Sequence, residues 1–266
     1  MKYVIDHDYH IHSQLSSCSR HPEQTPTRIL QYAKENALST ICLTDHYWDS
    51  AVPGASRWYE PQNFDHVAQF RDLPKDERVR FLFGCETDMD RFMTLGIPKE
   101  RFDDFDFIIV PTTHLHMKGF TITEEEYCVD ECVARLWVER LDALLSADLP
   151  FHKVGLAHPC CYLMNKRAPD AYLRTLELIP TRELERLFAR AAALGCGIEI
   201  NTQFAAQDAD TVLRIYRVAK AMGCKFYFGS DAHGPDQFDE LLAFGRHVVD
   251  LLELTEDDKF YIGGLQ

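Results

Sequence analysis

Residues 105–114 read FDFIIVPTTH, an almost uninterrupted apolar run that ends in a histidine. Such a run is typical of a strand in a parallel sheet that is covered on both faces. Six similar short runs occur in the chain, separated by amphipathic stretches with helical spacing. Strands that alternate with helices pair through right-handed crossovers, so the sequence predicts an α/β fold. The seven predicted strands are Val4–Tyr9, Thr40–Thr44, Arg80–Cys85, Phe107–Thr112, Lys153–Ala157, Gly197–Ile200 and Lys225–Gly229.

The stretches between the strands carry helix start and stop signals. Thr25 stands before a proline, which is typical of an N-cap and a first helical residue. Thr123 and Glu126 form a capping-box pattern ahead of a predicted long helix. Thr181 predicts another helix start, and Gly195 predicts its end. Seven such units predict a closed barrel with one unit fewer than the usual eight, with an open doubly wound sheet as the alternative.

Composition and charge narrow the class of protein. The chain has 266 residues, and its 28 basic against 42 acidic residues give a net charge of −14. That charge disfavours binding to duplex nucleic acid or to an anionic membrane. No apolar run has the length of a membrane-spanning helix, no signal peptide precedes the first strand, and the nine cysteines lack disulfide or zinc-finger spacing. We therefore expect a single cytoplasmic domain over residues 1–266.

Histidines and carboxylates follow six of the seven predicted strands. Because the carboxyl ends of parallel strands open onto one face, we expect these side chains to converge there. Imidazole and carboxylate ligands together suit zinc, manganese or iron, and the number of donors fits two or three ions. The sixth strand is followed instead by Asn201 and Thr202. The residues at the other strand ends are His10 and His12, Asp45 and His46, Glu86, His114, His158, and Asp231 with His233; His21 lies in the loop after the first strand.

Short motifs at these positions resemble the PHP superfamily (polymerase and histidinol phosphatase). They are DYHIHS at 8–13, TDH at 44–46, GCE at 84–86, GLAHP at 155–159 and GSDAH at 229–233. EINT at 199–202 and the long loop after the first strand are most similar to the histidinol-phosphatase branch. The resemblance covers nearly the whole chain. It implies a distorted (β/α)7 barrel with a trinuclear metal site at the carboxyl ends of the strands.

The resemblance also implies a set of metal ligands. His21 stands where many members have aspartate, and the loop length there varies. His114 and His116 form a second His-x-His, and we favour His114 as the ligand because it ends the apolar run. The implied ligands are His10, His12, Glu86 and Asp231 for the first ion, Glu86, His114 and His158 for the second, and His21, His46 and His233 for the third.

These features predict a metal-dependent phosphoesterase in which hydroxide held between the metals that share Glu86 attacks phosphorus. Glu86, His233 and Asp45 are the predicted catalytic residues, with Asp45 either orienting a ligand or capping a turn. The leading hypothesis is a phosphomonoesterase acting on L-histidinol phosphate in histidine biosynthesis. One alternative is a phosphodiesterase for short 5′-phosphorylated oligonucleotides or nucleoside bisphosphates, and another is a degenerate metal-binding module. The predicted substrate contacts are Arg57, His116, Lys118 and Arg167.

Overall fold

The structure is a computed structural model that describes residues 1–19, 21–201 and 209–264. Thr202, noted after the sixth predicted strand, lies outside these ranges. Every strand pair in the described chain is parallel. The strands are β1 (His7–Ile11), β2 (Thr40–Leu43), β3 (His46–Tyr47), β4 (Arg80–Thr87), β5 (Phe107–Pro111), β6 (Val154–Ala157), β7 (Gly197–Ile200) and β8 (Lys225–Phe228).

The sheet runs in the order β1-β2-β4-β5-β6-β7-β8, and the short strand β3 pairs with β4. Hydrogen bonds between the end of β1 and the chain after β8 bring the two edges together. Asp231 N donates to His10 O at 2.7 Å, and His12 N donates to Ala232 O at 3.2 Å. The sheet is therefore nearly closed, which confirms the predicted seven-unit barrel instead of an open doubly wound sheet.

Helices connect the strands on the outside of the barrel. Thr25 caps the first of them by accepting a hydrogen bond from Arg28 N, and Gly195 ends the sixth with φ of 78°. No helix in the described ranges has the length and hydropathy needed to cross a membrane. The helices are α1 (Pro26–Glu35), α2 (Phe64–Val67), α3 (Glu124–Tyr127), α4 (Asp130–Ser146), α5 (Ala171–Leu178), α6 (Thr181–Leu194), α7 (Asp210–Ala221) and α8 (Phe238–Leu251).

The long helix predicted after Thr123 is divided in two. Thr123 and Glu126 do form the capping box, but the helix that they begin, α3, has only four residues. Val129 then takes an extended conformation, with φ of −121° and ψ of 115°, before α4 begins. The capping pattern was identified correctly, whereas the continuity of the helix was predicted wrongly because one extended residue interrupts it.

The first strand also differs from its prediction. It was expected over Val4–Tyr9 but forms over His7–Ile11, and ahead of it Tyr3 N donates to Leu254 O in the C-terminal part of the chain. The register between β1 and β2 shifts between Asp8 and Ile11. Irregularities of this kind redirect side chains, and they are common beside active sites. Here Tyr9 packs inside the barrel while Ile11, two residues later, packs in the outer core.

The barrel interior has an apolar lower part and a polar mouth. Phe107 and Ile109 point inward while Ile108 and Val110 point toward the helices, as the two-residue period of a strand requires. Phe260, from the C-terminal segment, packs in the interior against these rings. This apolar floor leaves the carboxyl ends of the strands as the part of the barrel where polar side chains meet.

Candidate metal centre

Glu86, near the end of β4, lies at the centre of the polar mouth and is fully buried. Imidazole nitrogens from four other parts of the sheet surround its carboxylate. The distances from Oε2 are 3.0 Å to His46 Nδ1, 3.4 Å to His12 Nε2 and 3.5 Å to His10 Nε2, and those from Oε1 are 3.1 Å to His158 Nε2 and 3.9 Å to His114 Nε2.

Asp231 supplies a second buried carboxylate, on the chain that closes the barrel. Its Oδ1 lies 2.9 Å from His12 Nε2 and 3.3 Å from His10 Nε2. Asp231 and His158 both have positive φ, 54° and 27°, although neither is a glycine. Backbone conformations of this kind cost free energy and cluster at functional sites. The backbone is thus strained at Asp231 and at His158, the two residues whose side chains enter the site here.

Three groups of side chains bring their potential ligand atoms close enough to share an ion. Within each group, these atoms all lie within 4.8 Å of one another. All three groups belong to the part of the chain that the structure describes. The groups are His10, His12 and Asp231; Glu86, His114 and His158; and His12, His46 and His233.

Two further buried carboxylates fix the orientation of the histidine rings. Glu199 Oε1 lies 2.9 Å from His10 Nδ1, and Asp88 Oδ2 lies 3.0 Å from His114 Nδ1. An ionised carboxylate only accepts hydrogen bonds, so Nδ1 of each ring carries the proton. Nε2 of each ring then has a free lone pair and faces Glu86. Metal-binding histidines are held in the same arrangement.

Asp45 acts on His12 through a serine. Ser16 Oγ donates its one proton to Asp45 Oδ1 at 2.7 Å and therefore accepts from His12 Nδ1 at 3.0 Å. Asp45 also accepts from the amide and the hydroxyl of Ser13, at 2.7 and 2.6 Å. The Asp45 carboxylate accepts these hydrogen bonds on the Nδ1 side of the His12 ring. The structure therefore places Asp45 where it orients His12.

The rings of His158 and His233 are also held by a contact at Nδ1. His158 Nδ1 lies 2.7 Å from Thr113 Oγ1, and His233 Nδ1 lies 2.7 Å from the carbonyl oxygen of Asp231. A carbonyl oxygen accepts only, so Nδ1 of His233 carries its proton. Nε2 of His158 faces Glu86 Oε1 at 3.1 Å, and Nε2 of His233 faces Cys18 Sγ at 2.9 Å.

The residues fit divalent cations because several acceptors face one another. Nε2 of His10 and Nε2 of His12 lie 3.1 Å apart, and Nδ1 of each ring is hydrogen-bonded to an outer partner. Glu86 Oε2 and His46 Nδ1 are both buried and lie 3.0 Å apart, without the orientation of a regular hydrogen bond. Close, buried acceptors repel unless a cation lies between them. Imidazole and carboxylate are suitable ligands for zinc, manganese or iron.

The pKa shifts of the buried groups also indicate that this site favours positive charge. Burial raises the pKa of Glu86, but the neighbouring histidines, His46 and His10 first, outweigh it and hold the pKa well below its usual value. For His12, burial lowers the pKa, while hydrogen bonds to Asp231 and Glu86 raise it to about 9. The two carboxylates therefore attract positive charge, either as protons on imidazole or as metal ions.

This cluster forms the floor of a cavity of about 540 Å³. One wall is apolar, and Trp58 stands edge-on to His46 with ring centroids 4.7 Å apart. Two cationic side chains, Arg57 and Lys118, line the cavity as well. The remaining apolar wall residues are Met117, Phe120 and Leu163.

Three of the four predicted substrate contacts line this cavity. Arg57 is exposed on its wall, and Lys118 lies there in an ion pair with Glu124 at 2.9 Å. His116 is also in the wall, where burial and then His114 lower its pKa to about 3. His116 is in none of the three groups, whereas His114 joins Glu86 in one of them.

Arg167 lies in a different place. Its guanidinium bonds to the carboxylate of Asp130, to Cys128 O and to Asn165 Oδ1. It lines a separate surface depression with these neighbours and does not line the cavity. The structure therefore gives Arg167 a role in joining the loop after β6 to the start of α4.

His21, the remaining predicted ligand, is in none of the three groups. Its Nδ1 accepts a hydrogen bond from Glu23 N at 3.2 Å. The residue of this loop that contacts the group containing His233 is Cys18, whose Sγ lies 2.9 Å from His233 Nε2. Burial, with the charge of Asp231 next, raises the pKa of the Cys18 thiol.

Sequence reasoning missed Glu199, Asp88 and Cys18. Glu199 interrupts an apolar four-residue strand, GIEI, and a fully buried carboxylate in such a strand was an available signal. Asp88 follows Glu86 by two residues and forms a buried ion pair with Arg140 at 2.5 Å. No sequence pattern distinguishes Cys18 from the other eight cysteines.

Comparisons with known proteins give a family match and a similar fold. The sequence matches the PHP domain model over residues 8–203. The fold is similar to the crystal structure of histidinol phosphate phosphatase from Lactococcus lactis subsp. lactis Il1403, which was solved with zinc, L-histidinol and phosphate. The TM-score is 0.59, with 18% identity over 94% of each chain. This likeness shows the fold alone.

Two other comparisons add little. Plasmodium falciparum HPPK-DHPS with pteroate gives a TM-score of 0.39 and 14% identity, over 95% of this chain and 48% of that one. No argument rests on a likeness this weak. A search of curated proteins finds no match.

The family model, by contrast, spans most of the chain and includes Glu86, His114 and His158. The chain belongs to the PHP domain family.

Proposed function

We propose that this protein is a metal-dependent phosphomonoesterase that hydrolyses a small phosphate ester, with L-histidinol phosphate as the leading substrate. The observation that carries the proposal is the ring of inward-facing imidazole nitrogens around Glu86 on the floor of an open cavity. Family membership supports the broader class, a metal-dependent phosphoesterase. The substrate would place the enzyme in histidine biosynthesis in the cytoplasm.

Two or three divalent ions, zinc, manganese or iron, would be held at the three groups of ligands, with Glu86 a ligand beside His114 and His158. Bound ions of this kind lower the pKa of water and offset the negative charge of the phosphoryl oxygens. Asp231 and His233 both line the cavity and would hold ions there, Asp231 in the group with His10 and His233 in the group with His46. Asp45 and Glu199 would act as positioning residues, because each fixes the proton of a ligand histidine at Nδ1.

The cavity walls fit a small ester with a ring in its leaving group. Trp58 and Phe120 offer aromatic surface, while Arg57 offers an exposed guanidinium on the cavity wall. Guanidinium groups suit phosphate and carboxylate oxygens. The Lactococcus lactis phosphatase was solved with L-histidinol and phosphate, which supports an imidazole-containing substrate.

A nucleotide substrate is the second candidate. The combination of Trp58 with two cations, Arg57 and Lys118, would also suit a base stacked on an aromatic ring and a second phosphate. A nucleoside bisphosphate or a short 5′-phosphorylated oligonucleotide has both features. The phosphodiesterase alternative therefore belongs in the same substrate panel.

The proposed function predicts metal-dependent release of phosphate. Turnover of L-histidinol phosphate, phenyl phosphate and a 5′-phosphorylated dinucleotide should be measured on purified, chelator-treated and Zn²⁺- or Mn²⁺-reloaded protein. We expect histidinol phosphate to have the highest kcat/KM and chelation to abolish turnover until metal is restored. His158→Ala should lower turnover by orders of magnitude, because its Nε2 lies 3.1 Å from Glu86.

The comparison of substrates separates the candidates. Faster turnover of the dinucleotide would replace the phosphomonoesterase with the phosphodiesterase. Fewer than two ions per chain, together with no turnover of any ester after reloading, would exclude the hydrolase.

Glu199→Gln should weaken metal binding without unfolding the barrel. The carboxylate accepts from both His10 Nδ1 and the amide of His158, at 2.9 and 2.7 Å, and an amide NH₂ cannot accept from the second donor. Losing such an outer partner typically weakens metal binding roughly 10- to 100-fold. Zinc titration against a competing chelator measures the change, and Glu185→Gln, on the exposed face of α6, is the control. Equal zinc affinity in the two variants would show that Glu199 does not position His10.

Arg57→Ala and Arg167→Ala should differ in their effect on KM. Arg57 lines the cavity, whereas Arg167 pairs with Asp130 elsewhere. A hydrogen bond from a charged donor contributes about 1.5–3 kcal/mol, so Arg57→Ala should raise KM at least about tenfold. Metal content should stay the same in both. A rise in KM in Arg167→Ala alone would reverse the assignment.

A further inference from the structure

Arg140, on α4, is an arginine whose side chain is fully buried. Its Nη2 donates to Asp88 Oδ1 at 2.5 Å. Its Nη1 donates to the carbonyl oxygens of Met89 and Asp90, at 3.0 and 3.4 Å. One guanidinium therefore holds both the side chain and the backbone of the segment that follows β4.

The carboxylate of Asp88 has different partners on its two oxygens. Oδ1 accepts from Arg140 and from the amide of Met89, the latter at 2.7 Å. Oδ2 accepts from Nδ1 of His114 at 3.0 Å and from the hydroxyl of Tyr59 at 3.3 Å. The hydrogen bonds to Oδ1 thus fix the rotation of the carboxylate, and this rotation leaves Oδ2 facing His114.

His114 presents its other ring nitrogen to the candidate ligands. With the proton at Nδ1, the free lone pair is on Nε2, which lies 3.9 Å from Glu86 Oε1. His114 forms one of the three groups with Glu86 and His158. Because the imidazole ring is rigid, the direction of the hydrogen bond at Nδ1 determines where Nε2 points. A change in the rotation of Asp88 would therefore move a ligand atom.

Stability alone gives little reason for an arginine at this position. A buried ion pair is often no more stabilising than apolar residues of similar volume. Nε of Arg140 is also buried without a hydrogen-bond partner in the described chain, and such a donor costs free energy. A planar guanidinium can, however, hold a carboxylate and the neighbouring carbonyl groups in one fixed geometry, which a lysine ammonium cannot do.

We infer that Arg140 is a positioning residue of the metal centre. It fixes the rotation of the Asp88 carboxylate and thereby the direction in which His114 presents Nε2 to an ion. The inference rests on the metal centre of the proposed function. Arg140 does not line the cavity and is in none of the three groups of the described chain, so its effect should appear first in metal binding at His114.

NMR can follow the ring of His114 without any measurement of activity. Long-range proton–nitrogen correlations of metal-free protein show which ring nitrogen carries the proton, and a spectrum of His114→Ala identifies the signals. Zinc is then added in competition with a chelator, and its affinity is measured from the His114 signals alone. In the wild type we expect the proton at Nδ1 and a shift of the Nε2 signal when zinc binds.

Arg140→Met should weaken zinc binding at His114. Removing a direct partner of a ligand typically weakens binding roughly 10- to 100-fold, and Arg140 acts one hydrogen bond further out, so we expect a loss of about tenfold. Arg190→Met is the matched control. Arg190 pairs at 2.8 Å with Asp142 of the same helix, and Asp142 is in none of the three groups. This variant should keep wild-type affinity.

A double-variant cycle with Asp88→Asn tests whether Arg140 acts through Asp88. Asp88→Asn should itself weaken zinc binding at His114, and adding Arg140→Met to it should cause little further loss. Equal losses in the two backgrounds would overturn the inference. So would wild-type affinity in Arg140→Met, or the same loss in Arg190→Met.

Circular dichroism identifies any variant that does not fold, because removing one partner of a buried ion pair is destabilising. The wild type decides in that case. Coupling between binding and another interaction is reciprocal, so zinc at His114 must also strengthen the hold on Arg140. Exchange of the Arg140 Nη protons with water should slow when zinc is added, and unchanged exchange would contradict the inference.

Turnover of phenyl phosphate by the same zinc-loaded samples keeps this test separate from that of the proposed function. Turnover by the wild type, together with equal zinc affinity in Arg140→Met, would remove the positioning role and leave the phosphomonoesterase in place. The expected loss of zinc affinity without turnover of any ester would retain the positioning role and remove the proposed function.

Discussion

Burial of the Glu86 carboxylate at the centre of the barrel mouth is the constraint on which the rest of the site depends. A buried charge is costly unless it is paired, and this one has five imidazole nitrogens within 3.9 Å. The outer partners of those rings place their protons away from it wherever the partner can only accept. The site therefore favours positive charge around Glu86, either as protons on the imidazoles or as metal ions that these side chains could hold.

The chain segments that close the barrel also form part of the site. The hydrogen bonds that join the end of β1 to the chain after β8 also carry His10, His12 and Asp231 to one point. The register shift in β1 turns the two histidines toward the mouth, while Tyr9 remains in the apolar floor. Stability at this junction thus depends on the groups that would bind the ions, so we expect metal binding to stabilise the fold as well.

The sequence was sufficient for the barrel and for the positions of the inner residues, because parallel strands bring their carboxyl ends to one face. It was insufficient wherever a side chain's direction decided the role. The links from Asp45 through Ser16 to His12, and from Glu199 to His10, depend on ring orientation. Cys18 and His21 lie three residues apart in one loop, and only the path of that loop shows which of them contacts His233.

Anomalous X-ray diffraction from crystals of the zinc-loaded protein would show whether metal ions lie around Glu86. Data collected on both sides of the zinc absorption edge locate each ion independently of the protein atoms. We expect at least two peaks around Glu86, with its carboxylate and the surrounding imidazole nitrogens at about 2.0–2.2 Å from them. Fully loaded crystals with no peak within bonding distance of Glu86 would contradict it.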